Sequence, residues 1–383
     1  MTNYALALLE GLRATGRAAD VLLDVPPDVA LGGSRQIGHL RRWLRAAWPA
    51  ACRAAAIATP PAGFAHAWLA PDVFRLAQVH FDIHGNLLEV RSRQPPALMH
   101  WTYPLPLVFR NVPNVYTVHD LIPMRTPNLT DIDSRRFARI IRAVARRADH
   151  VVTVSEASRR DIMTLLGLPQ ERVTNTYQPL NLPPGLDDAP PPDRRGHFLF
   201  CGAIEPRKNI GRLIAAYRES AAVAPLILAG PDGWRAAEEL AAGGAEIRPL
   251  SELAGTAPEH RGVWRAPWLP RPALLDLLRG ARALLFPSLA EGFGLPIAEA
   301  MALGVPVLTS GGGATEEIAG DAALLVNPLD IRAMAEAIAC LDRDTELCER
   351  LAAAGRRRSA AFSPAACFGR LAAIYDRLGV ART

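Results

Sequence analysis

Glu291 and Glu299 bracket the string Gly292-Phe293-Gly294-Leu295-Pro296-Ile297-Ala298. Pro296 falls near the first position of a helix, where a missing N–H costs nothing. The backbone amides around Gly294 and Leu295 then point out of a helix N-terminus, and at the carboxyl edge of a parallel sheet such an end attracts an anion. Gly292 and Gly294 let the backbone approach a ligand with no Cβ in the way. Two carboxylates beside an anion would repel it, unless they serve sugar hydroxyls, which donate in pairs to a carboxylate. One glutamate on a ribose and the other on a hexose, either side of a diphosphate, accounts for both. Taken singly, each has a plainer explanation: Glu291 as a loop charge, Glu299 as a first-turn glutamate favoured by the helix dipole.

A second string, Cys201-Gly202-Ala203-Ile204-Glu205-Pro206-Arg207-Lys208-Asn209, sets two cations and a potential cap, Asn209, just before a helix. Lys208 is the only lysine among 43 basic side chains. Against an arginine background, one lysine suggests a site that wants a compact ammonium rather than a planar fork. A diphosphate is the obvious anion, and a chance surface lysine the alternative. His119 directly follows the apolar run Val115 to Val118. An imidazole at a sheet edge can hydrogen-bond a sugar hydroxyl and, through its orientation, stabilise charge developing at the anomeric carbon; a core or loop-bracing histidine is the alternative. Asp131-Ile132-Asp133 mimics a metal-binding triplet, but it precedes an Arg-rich helix and reads as a loop or capping pair, so no metal ligand is assigned.

These residues need elements to hold them. Short β-branched or aliphatic runs alternate with Ala/Leu/Arg-rich stretches in both halves, the pattern of a parallel sheet covered by helices. In the second half Phe198 to Cys201, Leu226 to Ala229, Ala283 to Phe286 and Val305 to Thr309 read as strands, and Asn209 to Ser220 as a helix. In the first half the clearest strands are Val21 to Asp24, Leu98 to Trp101, Val115 to Val118 and Val151 to Val154, with Ser155 capping the helix that follows. The Pro- and Gly-rich stretch Asn181 to Gly196 marks a linker, giving domains at 1–190 and 191–363 and a terminal helix, 364–383, that packs back on the first domain. The chain opens with a helix-like segment, Tyr4 to Thr15, where a Rossmann half begins with a strand and a Gly-rich turn. A first strand is therefore expected upstream of Met1.

With 383 residues, 50% hydrophobic and 21% charged, two ordinary cores are available. No uninterrupted apolar run reaches the roughly 18 residues of a spanning helix, and the N-terminus lacks a signal-peptide pattern, which points to the cytoplasm. The five cysteines show no ligand spacing and read as buried reduced thiols. The net charge of +5 resides in the first half. Much of it comes from Arg135, Arg136, Arg139, Arg142, Arg146 and Arg147, spaced along one side of a helix. A solvated face explains this first; attraction to an anionic membrane surface or a lipid-phosphate acceptor comes second, at the inner membrane face. Nucleic acid is disfavoured, because no aromatic residues interleave as stacking platforms.

Together with Gly311 to Pro328 and Thr117-Val118-His119-Asp120-Leu121-Ile122-Pro123, the two strings resemble the retaining glycosyltransferases of family 4, over about residues 95 to 345. The resemblance implies a GT-B fold, an α/β architecture of two Rossmann-like domains facing a central cleft. It implies that Arg207 and Lys208 hold a donor diphosphate, with Gly202, Phe293, Gly294 and Leu295 as further donor-binding residues. Glu299 would bind the ribose, Glu291 the transferred sugar, and His119 the donor sugar, making His119 and Glu291 the catalytic candidates. No cofactor is implied: the substrate is a GDP- or UDP-sugar, and the acceptor a hydroxyl of a glycan or lipid-linked saccharide. Ala203 departs from relatives that carry an arginine there. A sugar-nucleotide epimerase, a phosphorylase and a non-catalytic nucleotide-sugar-binding module are the rival readings. A phosphorylase built on a lysine-bound cofactor would need a second lysine.

Overall fold

The computed structural model describes residues 2–17, 19–24, 44, 46, 52–57, 60–183, 186, 196–252 and 261–380. In the second half, seven parallel strands lie in the order Ile247–Pro249, Val263–Ala266, Leu226–Ala229, His197–Cys201, Ala281–Phe286, Val307–Ser310, Leu324–Val326. The first of these in sequence, His197–Cys201, thus sits in the middle, and the order reverses between it and Ala281–Phe286. Loops leaving two neighbours at such a reversal diverge and open a crevice at the carboxyl edge. The central strands are unbroken apolar runs, from Phe198 to Cys201 and from Ala283 to Phe286, and each of these residues is buried. That is what a parallel sheet covered on both faces requires.

The first half is also α/β, with its described strands in three smaller sheets. Val173–Asn175, His150–Thr153, Asn114–Thr117 and Met99–Trp101 form one parallel set; Cys52–Arg53, Leu88–Arg91 and Leu107–Phe109 form another. In the third, Val21–Leu23 pairs parallel with Ala67–Leu69, while Ala55–Ala56 runs antiparallel to it. Asn114 opens the strand that leads to His119. Its buried amide oxygen accepts from the Phe109 N–H at 2.8 Å and from Trp101 Nε1 at 3.0 Å, and its nitrogen donates to the Phe109 and Val112 carbonyls at 2.8 Å each. Every hydrogen-bonding capacity of the side chain is used, so the strand's start is fixed.

The Arg-rich stretch forms the helix Ser134–Arg147, capped by Asp133, which accepts from the Arg135 and Arg136 amides. Arg136 pairs with Asp82, Arg147 lies 3.7 Å from Glu89, and Arg139 covers the Phe81 ring, while Arg135, Arg142 and Arg146 are exposed. The basic face is therefore partly structural bracing. Among the cysteines, Cys340 departs from expectation by being exposed; the other four are buried. Most of the Pro-rich stretch assigned as the linker lies outside the described residues. No described helix is long and apolar enough to cross a membrane.

The two halves meet through specific bonds. Ser155 accepts from the Ser158 amide as the cap of the helix Glu156–Leu166, and both hydroxyls donate to the Gly292 carbonyl of the second half, at 2.7 and 3.2 Å. From the second half, Glu317 accepts the Glu156 amide at 2.7 Å and the Ala157 amide at 2.8 Å, placing a carboxylate on the positive end of that helix. The helix Pro364–Arg377 crosses back to pack on the helix Thr2–Ala14, and Phe368, Leu371, Ile374 and Tyr375 bury Val115 and Val152 beneath them.

Replacing Glu317 by Ala should leave the Glu156 and Ala157 amides without their acceptor. Their hydrogen exchange is expected to speed up by about tenfold or more, the loss of one to two hydrogen bonds to a charged group. Unchanged protection at both amides would show that Glu317 does not hold the halves together. Burial lowers His100 to about 3 and, with Arg377 and Arg172 nearby, His150 to about 4. A histidine with a depressed folded value contributes stability above its ordinary value and loses it as pH falls toward the folded one. Between pH 7 and 5, His150 alone should cost about 2 kcal/mol. Urea denaturation should therefore show a shallower pH dependence for His150→Gln, whose amide can still reach Thr174; equal slopes would refute it.

Candidate active site

The loops leaving the two strands at the order reversal carry the two strings, and they are bonded to each other. The Leu289 amide donates to the Arg207 carbonyl at 2.7 Å. Asn209 does not cap by its side chain: it holds a left-handed backbone, φ 63°, and its amide donates to the Pro287 and Pro328 carbonyls at 3.1 and 2.7 Å. Its Oδ1, the atom a cap would use, accepts from Arg212 Nη1 at 3.0 Å instead of from a helix amide, which corrects the expected role. Gly202 begins the first loop, its amide bonded to the Ala229 carbonyl at 2.9 Å.

Lys208 and Arg207 do not stand apart from the carboxylates. Lys208 is buried, with its Nζ 2.5 Å from Glu291 Oε1 and 4.7 Å from the centroid of the Phe286 ring. Arg207 donates to Glu291 Oε2 at 3.2 Å and lies 2.6 Å from Glu205. Burial works against the charge on Glu291, yet Lys208 and Arg207 overcome it and hold the carboxyl below its usual range. Glu291 is thus an ionised acceptor with one face committed to cations, rather than a loose loop charge.

Glu299 differs. It lies in the second turn of the helix Leu295–Ala302, past the first turn where the dipole explanation would place it. It is 3% exposed and accepts from Arg271 at 2.6 Å. Burial raises its pKa and Arg271 offsets part of the rise. Arg271 opens the helix Arg271–Arg279 and had no signal of its own in the sequence, since it follows Trp268-Leu269-Pro270 without a recognisable pattern.

Between the glutamates, Gly294 is the N-cap at φ 95°, a left-handed conformation that favours glycine. Gly292 meets the other half: a Cβ there would lie 2.9 Å from the His119 carbonyl and 3.0 Å from Asp120 Oδ2. Phe293 points away from the crevice and packs edge-on against Phe362 at 5.4 Å, so its side chain anchors the loop. Leu295, half-buried, packs against the same core.

His119 sits across this contact. Its Nε2 lies 3.3 Å from the Thr102 carbonyl, and burial lowers its pKa, so the imidazole is neutral near pH 7. Asp120 is a half-buried carboxyl facing the cluster. Burial raises its pKa; the Ile122 amide and Arg207 oppose the rise, and Glu291 adds to it. The fold therefore brings His119, Asp120, Glu291, Arg207 and Lys208 around the Gly292 backbone, with Glu299 paired to Arg271 on the helix that follows. Such a group can neutralise a polyanion with two cations, accept from hydroxyls at two carboxylates, and offer one uncharged imidazole.

Known proteins fit the same pattern. A model described as Glycosyltransferase Family 4 matches residues 1–182, and one described as Glycosyl transferases group 1 matches residues 187–358. The chain is 30% identical over 263 residues to O-antigen chain mannosyltransferase B of Escherichia coli, covering 65% of this chain and 66% of the relative. It is likewise 30% identical over 251 residues to the MMP alpha-(1->4)-mannosyltransferase of Mycolicibacterium hassiacum, over 63% of this chain and 57% of that one. The aligned part thus spans 66% and 57% of these two relatives' own length. Sucrose-phosphate synthase from Thermosynechococcus elongatus shares the fold, with a TM-score of 0.61 at 20% identity, covering 94% of this chain and 99% of that structure. HepE of Anabaena, solved with UDP and glucose, has a TM-score of 0.55 at 17% identity over 79% of this chain and 88% of its own. With two Rossmann-like halves, both glycosyltransferase models matched and this arrangement of residues in the crevice, the chain belongs to the family 4 glycosyltransferases.

Proposed function

We propose that this protein is a retaining, metal-independent hexosyltransferase that moves a sugar from a nucleoside-diphosphate donor to a hydroxyl of a glycan or lipid-linked saccharide. What carries the reading is the meeting of Arg207, Lys208 and Glu291 with His119 and Asp120 around one glycine backbone. Mannose from GDP-mannose is the first donor to consider, supported by the mannosyltransferase names of the relatives. Glucose or N-acetylglucosamine from UDP comes next, HepE having been solved with UDP and glucose.

In this reading the diphosphate lies against the start of the helix Leu295–Ala302, with Arg207 and the two remaining Lys208 protons compensating its charge. Those cations and backbone amides are what would stabilise the leaving group, so the mechanism calls on no metal. Arg207 and Lys208 would then be shared between Glu291 and the phosphates. Glu299, steadied by Arg271, accepts from the ribose, and Glu291 accepts from the transferred sugar. The sugar's C1–O bond to phosphate breaks as the acceptor oxygen approaches the same face, and the acceptor proton passes to the leaving phosphate oxygen. No glycosidase-type carboxylate pair takes part. Neutral His119 orients the sugar at the developing positive charge. The exposed Arg135, Arg142 and Arg146, on one side of their helix, would support peripheral contact with an anionic membrane at the cytoplasmic face.

A panel of GDP-mannose, UDP-glucose and UDP-N-acetylglucosamine with saccharide acceptors should yield one labelled transfer product of retained configuration. Lys208→Ala should weaken nucleoside-diphosphate binding, measured calorimetrically, by about 1.5 to 3 kcal/mol, the range for hydrogen bonds to a charged partner. Glu299→Ala should mainly impair nucleotide binding and Glu291→Ala mainly turnover. Neither binding nor transfer with any donor would end the proposal, and equal losses of both in both glutamate variants would undo the division of roles.

A further inference from the structure

A hydroxyl-orienting imidazole works only if its ring plane and its tautomer are fixed, and His119 has just one hydrogen-bond partner for that purpose among the described residues. That partner is the Thr102 carbonyl, at 3.3 Å from Nε2. A bond this long constrains a ring weakly. It favours the tautomer with the proton on Nε2, which leaves the Nδ1 lone pair to accept from a sugar hydroxyl. Something else must hold the ring.

The Tyr4 ring meets it edge-on, with centroids 5.0 Å apart and planes at 82°. This geometry suits the quadrupoles of two rings and blocks rotation of the imidazole toward Tyr4. Tyr4 is itself anchored. Its hydroxyl lies 3.2 Å from Thr117 Oγ1, and Thr117 in turn lies 2.8 Å from His100 Nε2. His100 Nδ1 lies 2.5 Å from the Tyr375 hydroxyl, and the Arg17 guanidinium, paired with Asp376, covers the Tyr375 ring. Tyr4, Thr117 and Tyr375 are all buried. Burial, and then the neighbouring His119, keep His100 neutral down to about pH 3. A neutral imidazole has one donor and one acceptor, so one of its two hydroxyl partners donates to it and the other accepts, which gives the chain a direction.

We propose that Tyr4 is a positioning residue for His119, held by a buried hydrogen-bonded chain through Thr117 and His100 to Tyr375 on the last helix. The inference rests on the glycosyltransferase reading of His119, and it adds that the two terminal helices set the geometry of that ring. Neither Tyr4 nor its chain touches the cations or the two glutamates.

Two measurements on the full chain test this. Nitrogen-15 NMR of histidine-labelled protein, with the His119 signal assigned by its loss in His119→Gln, should show one Nε2-protonated tautomer in the unchanged chain. Tyr4→Leu should show a mixture, and Tyr4→Phe, which keeps the ring but loses its bond to Thr117, a smaller admixture of the second tautomer. With the donor that turns over, Tyr4→Leu should lower kcat by about tenfold while the donor KM moves less than about threefold, as expected when orientation rather than binding is lost. Should Tyr4→Leu fail to fold, Tyr4→Phe, which preserves the bulk and loses only the bond to Thr117, carries the test through its own admixture of the second tautomer. A single unchanged tautomer in the variants overturns the proposal. If His119→Gln leaves turnover intact, the role given to His119 falls, while the tautomer measurement still decides whether Tyr4 holds the ring.

Discussion

Two cations and one carboxylate, taken out of water together, govern the arrangement of the crevice. Lys208 and Glu291 are both nearly inaccessible, with side chains 9% and 8% exposed. Removing either charge would strand the other in a poorly solvated place, which is far costlier than the pair itself is stabilising. Arg207 adds a second cation, itself shared with Glu205 at 2.6 Å, and the two cations together carry more N–H donors than Glu291 alone can use. In the proposed function that surplus of donors would meet the phosphates of the sugar nucleotide. The same surplus keeps Glu291 ionised against its burial, and an ionised carboxylate is what sugar hydroxyls need. Under the proposed function, diphosphate recognition and sugar recognition would be one electrostatic arrangement rather than two adjacent ones.

That arrangement depends on a close approach between the halves. Gly292 has no room for a Cβ against His119 and Asp120, and its carbonyl is taken by Ser155 and Ser158. Backbone-to-backbone contact of this kind fixes distance more rigidly than contact between long side chains. Glu317 reinforces it from the other direction by occupying a helix end that would otherwise present unpaired donors. Ser155, Ser158, Gly292 and Glu317 bring a neutral imidazole from one half to the cationic cluster of the other.

Much of the fold was legible. The alternation of buried apolar runs with Arg- and Ala-rich helices marked a parallel α/β architecture, because strands covered on both faces have no polar side to show. Ser155 as a cap followed from a hydroxyl placed between a strand and a helix. Asn209 misled for an instructive reason. Its position satisfied the local rule for a cap, but its Nδ2 is drawn to carbonyls of two other loops and its Oδ1 accepts from Arg212 rather than from a helix amide. The Arg-rich helix likewise showed a regular stripe, and only packing revealed that Arg136 and Arg139 brace a neighbouring helix.

The sequence by itself determined which chemical groups were available and on what backbone they stood: a lone ammonium, two glutamates flanking a glycine-rich helix start, and a histidine at a strand end. Those are consequences of residue type and short spacing. It did not determine who meets whom. Lys208 and Glu291 are 83 positions apart, Arg271 and Glu299 28, and Glu317 reaches an amide 161 positions away. Strand order, the reversal beside His197–Cys201 and the burial that forces charges to find partners decided those pairings. Such contacts are set by how the whole chain closes on itself, and no local pattern of residues encodes them.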